Sequence, residues 1–309
     1  MPLAAAASAA ERRVVIPLRL DTTEARNAIE KRGYVIVEPL GAGASSIIYR
    51  VRHRRTGTEY ALKRVARTGE SETRWMDHIE HEYEVGSQFD HPYLRRAIEI
   101  HRYRKLFQVV EIQILLELVK GVSLEEKHDY SMDDLIVIFA KVARGLGHMH
   151  SLGWVHTDMK PSNVLIGDGG LVKIVDYGQT SPMDVRKERI QGTVDFIAPE
   201  QVYKQPLDRR TDVFNLGATM YWVLTGRNIP TIMREHLAKE AQQLVRRDRI
   251  PPAAQLNPKV PRALSKLIMD CIQDDKTARP QHTEQVFARL RAASRYLQTA
   301  KPNGAQDLT

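Results

Sequence analysis

The chain has 309 residues, 42% hydrophobic and 27% charged, with one cysteine, Cys271. That composition excludes a collagen, a coiled coil and a chain disordered throughout, and a lone cysteine allows neither an internal disulfide nor a Cys-based zinc site. The net charge of +8 comes from 46 basic and 38 acidic residues. The basic residues fall in scattered pairs such as Arg54-Arg55 and Arg209-Arg210, an arrangement that argues against specific nucleic-acid binding.

Residues 1–30 read as a disordered, alanine-rich leader. Residues 4–7 are all alanine, but no positive n-region precedes them and Glu11-Arg12-Arg13 follow, unlike a signal peptide. From Tyr34 the texture becomes that of strands, predicted over 34–40, 47–51 and 59–65. The loop Gly41-x-Gly43 and the turn Arg55-Thr56-Gly57 separate them. These gaps are too short for crossover helices, so the strands form an antiparallel meander. A helix is predicted over 71–88. Trp75, Ile79, Glu82, Val85 or Gly86, and Phe89 recur at spacings of three and four and share one face. Glu82 thus sits inside an apolar stripe and needs a partner. Glu80 and Glu84 lie about 200° round the helix and face solvent. Two strands follow over 98–103 and 106–118, with a turn at Arg104-Lys105. Beyond Gly121 the pattern is helical. Ser131 and Asp134 form a capping box for a helix running to about residue 150, with Leu135, Ile138, Val142, Leu146 and Met149 as its buried stripe. Short strands flank Asn163 and Asp176. Helices then dominate from Asp208 to about Tyr296, and residues 297–309 read as a polar tail. No apolar stretch approaches the ~20 residues that a membrane span needs.

Three segments carry chemistry. Gly41-x-Gly43 lets backbone amides approach phosphate oxygens, a weak pattern alone that gains weight from Ala61-Leu62-Lys63 downstream. Lys63 lies in an apolar strand, and Glu82 supplies a counter-charge. The stretch His156-Thr157-Asp158-Met159-Lys160-Pro161-Ser162-Asn163 holds a carboxylate, a cation two residues on and a carboxamide five residues on. That set can accept a hydroxyl proton, neutralise a phosphoryl group and ligate a hard cation. Val175-Asp176-Tyr177-Gly178 adds a second carboxylate after a strand. His148 and His150 lie on different helix faces and make no metal pair.

In this order the elements resemble the eukaryotic-like serine/threonine protein kinases, and the motif wording looks closest to bacterial members. Gly41-x-Gly43 is similar to the glycine-rich loop, Lys63 to the strand lysine and Glu82 to its helix partner. Asp158, Lys160 and Asn163 resemble the catalytic loop, Asp176-Tyr177-Gly178 the metal-binding tripeptide, and Ala198-Pro199-Glu200 the end of the activation segment. Asp212 resembles the helix aspartate that steadies the catalytic loop, and Arg279 the late arginine that pairs with Glu200. The resemblance implies an α+β fold over 34–296, with a small antiparallel β lobe plus one helix over 34–119 and a mainly α-helical lobe over 120–296. It implies ATP and Mg²⁺ (Mn²⁺ as the alternative), with Asn163 and Asp176 as metal ligands. Leu40, Ile48, Ala61, Leu116 and Leu165 would line the adenine site, with 117–119, including Glu117 and Val119, as a hinge whose backbone binds adenine. Thr193 would touch Asp158 and Lys160. The expected partner is a protein substrate with a Ser or Thr hydroxyl, and the expected location is cytoplasmic.

Four departures stand out. Ser46 replaces the third glycine of the loop. Thr157 replaces the arginine that binds a phosphorylated activation loop, leaving Arg186, Lys187 and Arg189 as substitutes for that role. Tyr177 replaces phenylalanine and brings a hydroxyl needing a partner. Gly86 stands where an apolar side chain usually stacks. None removes a group that handles phosphate or metal, which disfavours the alternative of a pseudokinase or nucleotide-binding regulatory module. Residues 176–200 resemble a peptide-docking platform, which disfavours a small-molecule kinase. Thr180, Ser181 and Thr193 are the hydroxyls that the segment offers.

Overall fold

A computed structural model describes residues 29–42, 46–67, 73–127, 129–231, 233 and 250–300. The described chain divides into two units. One holds the residues through Tyr83 together with Ala97–Leu118, and the other holds Glu84–Arg96 and the residues from Val119 onward.

The first unit is built on five antiparallel strands in the order β1-β2-β3-β5-β4: β1 Tyr34–Ala42, β2 Ser46–His53, β3 Glu59–Ala66, β4 Ala97–Lys105 and β5 Gln108–Glu117. The two-residue period of β3 explains its two cores. Ala61 and Val65 pack with Met76 and Ile79 of helix α1 (Thr73–Gly86), whereas Leu62 packs with Ile47, Tyr49 and Val51 on the other face. Lys63 shares the α1 side with Ala61 and Val65. Each fully buried Val, Leu or Ile in these cores contributes about 1.5–3 kcal/mol.

Two boundaries differ from the sequence reading. Ile29 is fully buried in the second of these cores, so the leader reading does not hold for residues 29 and 30, and its remainder, 1–28, lies outside the described residues. The β4–β5 turn sits at Leu106-Phe107 rather than Arg104-Lys105. Leu106 takes a positive φ of 55°, and both turn residues are exposed. Hydrogen-bond register fixed this turn, with Lys105 paired to Gln108, against the local apolar character.

The second unit is mainly helical: α2 Met132–Ser151, α3 Pro199–Val202, α4 Arg209–Thr225, α5 Ala253–Leu256, α6 Arg262–Cys271 and α7 Thr283–Ala300. The predicted capping box is present, with the Ser131 hydroxyl accepting from Asp134 N at 3.1 Å. All five residues of the predicted stripe are buried. Helix α7 continues four residues past Tyr296 to Ala300, into what reads as tail. Short strands carry the loops that matter: β6 Gly121–Ser123, β7 Trp154–Val155, β8 Val164–Gly167, β9 Leu171–Ile174 and β10 Ser181–Pro182, paired as β6-β8-β9 and β10-β7. Among the described residues no helix is long and apolar enough to cross a membrane.

Candidate active site

In the first unit, Lys63 Nζ donates to Glu82 Oε2 at 2.5 Å. The Glu82 side chain is 1% exposed and that of Lys63 16%. The helical count is borne out by its neighbours, since Glu84 is exposed and Glu80 pairs with Arg102 instead. Gly41 pairs with Ile48 across β1–β2, and a Cβ built on Gly41 meets nothing within 4 Å, so backbone is open to a ligand there. Gly43 lies outside the described residues. Ala61 and Leu116 are buried cross-strand partners, and Glu117, at the end of β5, pairs with Tyr60. Leu40 is exposed and Ile48 partly buried.

In the second unit, one residue organises the rest. The Asp158 carboxylate receives three hydrogen-bond donors and one ion-pair contact. Thr193 N and Thr193 Oγ1 reach Oδ1 at 2.8 Å each, and Lys160 Nζ and Gln179 Nε2 reach Oδ2 at 3.0 and 3.1 Å. Lys160 Nζ also donates to Thr193 Oγ1 at 2.9 Å, closing a triangle of aspartate, lysine and threonine. Asn163 Nδ2 donates to the Asp158 carbonyl at 2.8 Å. This turns the amide oxygen of Asn163 into the available ligand atom. Val175 N donates to Asn163 O at 3.0 Å, so Asp176 follows directly on a bond to Asn163. Leu165 and Val119, both partly buried, also belong to this unit.

The loop that carries Asp158 is held in an unfavourable shape. Thr157 has φ of +65°, uncommon for a β-branched residue and costing about 1–3 kcal/mol. The buried Asp212 of α4 offsets this, accepting from His156 N and Thr157 N at 2.8 Å each and bonding His150 Nε2 at 2.8 Å. A second buried pair fixes the end of the segment. Arg279 donates to both Glu200 oxygens, at 2.8 and 3.0 Å, and Thr211 Oγ1 donates to Oε1 at 2.9 Å. The departures are also accommodated. Tyr177 OH donates to Ile174 O at 2.9 Å, and its ring packs edge-on against Phe89 at 5.0 Å. Gly86 is the last residue of α1 rather than an interior gap.

Several contacts carry no mark in the sequence. Gln179 on Asp158 is one. Gln201, whose Nε2 donates to Thr157 O at 2.8 Å and Gln191 O at 3.0 Å, is another. Lys187 is the third. It turns inward to Thr157 and Gln179 rather than standing ready for a phosphate. The absent arginine at 157 was the one hint that a cation must come from elsewhere. Thr180 and Ser181 are buried. Thr180 Oγ1 donates to Tyr177 O at 2.9 Å, and Ser181 pairs with Val155 in the β10–β7 ladder.

The donor set suits a small hard cation. Asn163 and Asp176 offer a carboxamide and a carboxylate, and no cluster of three or more His, Cys, Asp or Glu ligands occurs among the described residues. Two protein oxygens completed by phosphate and water are how Mg²⁺ is usually held.

The family model for the protein kinase domain matches residues 34–289. The chain belongs to the protein kinase domain family, whose members use ATP and a divalent metal. It is 26% identical over 212 residues to an Aurora kinase of Candida glabrata, covering 67% of this chain and 58% of that protein. A probable serine/threonine-protein kinase of Clostridium perfringens is 25% identical over 272 residues, covering 83% of this chain and 38% of its own. Sperm motility kinase 2B of Mus musculus is 29% identical over 219 residues, covering 66% of this chain and 43% of its own. The chain thus spans less than two thirds of each of these relatives.

Proposed function

We propose that this chain is an ATP-dependent serine/threonine protein kinase. The observation that carries the reading is the triangle of Asp158, Lys160 and Thr193, with Asn163 anchored to the Asp158 carbonyl. Phosphoryl transfer asks a protein mainly for positioning and charge stabilisation. Asp158 orients the substrate hydroxyl and accepts its proton, the hydroxyl replacing one of the three donors now on the carboxylate. Lys160, already beside that carboxylate, neutralises the γ-phosphoryl oxygens. Thr193 holds the two in register. Lys63, kept extended by Glu82, donates to the α- and β-phosphates, and the Gly41 backbone covers them. Leu40, Ile48, Ala61, Leu116 and Leu165 contact adenine, with Glu117 and Val119 as its backbone partners. Asn163 and Asp176 hold the metal, for which Mg²⁺, with Mn²⁺ as the alternative, supplies neutralisation of phosphate charge. A lysine at position 160 favours Ser and Thr acceptors. A reducing, cytoplasmic setting suits Cys271, a buried thiol whose pKa is pushed up to about 12 by desolvation.

The test is incubation with radiolabelled ATP and a panel of protein and small-molecule acceptors, followed by phosphoamino-acid analysis. Phosphoserine and phosphothreonine on protein are expected. ATP binding without transfer to any acceptor would replace this reading with a nucleotide-binding regulatory module.

A further inference from the structure

The activation segment leaves the metal-binding tripeptide and folds back on the second unit. Ser181 and Pro182 pair with β7, Met183 N donates to Gly153 O at 2.9 Å and Asp184 N to Leu207 O at 2.7 Å. Beyond these bonds Arg186, Glu188 and Arg189 are exposed, but Lys187 between them is partly buried and turned the other way. Its ammonium donates to Thr157 Oγ1 at 3.2 Å and also to Gln179 O. Thr157 Oγ1 donates to the same carbonyl at 2.7 Å. The side chain of that glutamine in turn donates to Asp158 Oδ2 at 3.1 Å. A continuous path therefore runs from Lys187 through Gln179 to the carboxylate.

We propose that Lys187 is a positioning residue for phosphoryl transfer. It pins Gln179 and the strained Thr157, and so aims Asp158 without any phosphate on the segment. The inference rests on the kinase reading above. The charges facing the ammonium are Asp158 of the catalytic loop and Asp212 of α4; Lys160 lies on the first and His150 on the second. Those two carboxylates hold the proton on, but burial outweighs them and lowers the Lys187 pKa to about 8. At neutral pH the group is still an ammonium, with three donors and a charge beside Asp158.

Lys187→Met is compared with the wild-type chain, with Lys187→Gln as a second variant and thermal unfolding as the check that each folds. At pH 7.5 kcat falls tenfold or more in both, while KM for ATP stays within twofold. Gln179→Ala gives a similar loss, and the Lys187→Met, Gln179→Ala double variant loses no more than either single one, because both cut the same path. The wild-type kcat profile falls above pH 8, and that limb is missing from Lys187→Met. A smaller loss, additive losses, or a limb that survives in the variant overturns the proposal. One readout does not depend on turnover. The lysine Nζ resonance that disappears in Lys187→Met titrates near pH 8 if the tether exists, and near the ordinary lysine value if it does not. A wild-type chain that transfers no phosphate but shows the low titration fails the kinase reading and keeps the tether. A resonance titrating at the ordinary value removes the tether whatever the activity.

Discussion

Replacing Thr193 with valine keeps the β-branched shape and the backbone N–H to Asp158 Oδ1 at 2.8 Å. It deletes two hydrogen bonds of the hydroxyl, given to Asp158 at 2.8 Å and received from Lys160 at 2.9 Å. Hydrogen bonds to charged groups are worth about 1.5–3 kcal/mol each. The two ends do not lose equally. Lys160 has a side chain 23% exposed, so water replaces its lost acceptor, and its ion pair with Asp158 at 3.0 Å remains. Asp158 keeps two hydrogen-bond donors, Thr193 N and Gln179 Nε2, and its ion pair with Lys160 in a nearly closed site. The net loss is therefore near the lower end for one bond, about 2 kcal/mol. At 1.36 kcal/mol per decade this lowers kcat about 30-fold. Thr193→Ser keeps the hydroxyl and should stay within about fourfold of wild type, since it loses one methyl worth about 0.8 kcal/mol at most. The assay is steady-state phosphorylation of a peptide at saturating ATP, with ATP affinity measured separately and expected to hold. A valine variant within twofold of wild type, or a serine variant as poor as the valine one, would refute the role given to the hydroxyl.

Lys63→Met should abolish transfer and Glu82→Gln weaken it less severely, whereas Glu84→Gln leaves kcat unchanged; equal damage from Glu84→Gln and Glu82→Gln would break the helix register. Arg279→Leu leaves the buried Glu200 carboxylate without its cation, and chemical denaturation should show a loss of about 3–5 kcal/mol, mostly recovered in the Arg279→Leu, Glu200→Leu pair. Because Thr180 and Ser181 are buried, phosphatase-treated enzyme should keep its activity on an exogenous peptide; a loss above about 90% with ATP binding intact would mean a phosphate-switched segment.

What the sequence made legible was local or periodic. Glu82 could be placed opposite Lys63 because a strand period of two and a helix period of 3.6 each assign a face from nearest neighbours alone. The capping box of α2 is legible for the same reason, since Ser131 and Asp134 lie within one turn. The contacts of the loops were another matter. Lys187 sits in the charged run Arg186-Lys187-Glu188-Arg189, whose three cations the sequence offers alike as substitutes for the arginine missing at 157. Its partner Thr157 is 30 residues away, and nothing in the run marks the one side chain that turns inward. Gln201 is a similar case, joining Thr157, Gln191 and Asn215 in a buried network that only the fold brings together. Ile29 stands alone in a polar stretch, and no period could place it in the core with Ile47 and Tyr49. The exposed turn at Leu106-Phe107 shows the converse, because strand register decided its position and polarity did not.

The central claim is that Asp158 accepts the substrate proton. Asp158→Asn keeps the shape and an oxygen for Thr193, but it turns a nitrogen donor or a weakened acceptor towards Lys160 and Gln179 and removes the base. Initial rates of protein phosphorylation by Asp158→Asn and wild type, at saturating ATP and with ATP affinity determined on the same preparations, test this most directly. The account predicts a fall of about 10²–10⁴-fold, or about 3–5 kcal/mol of barrier, with ATP affinity almost unchanged. A variant that keeps more than half of the wild-type rate would contradict it.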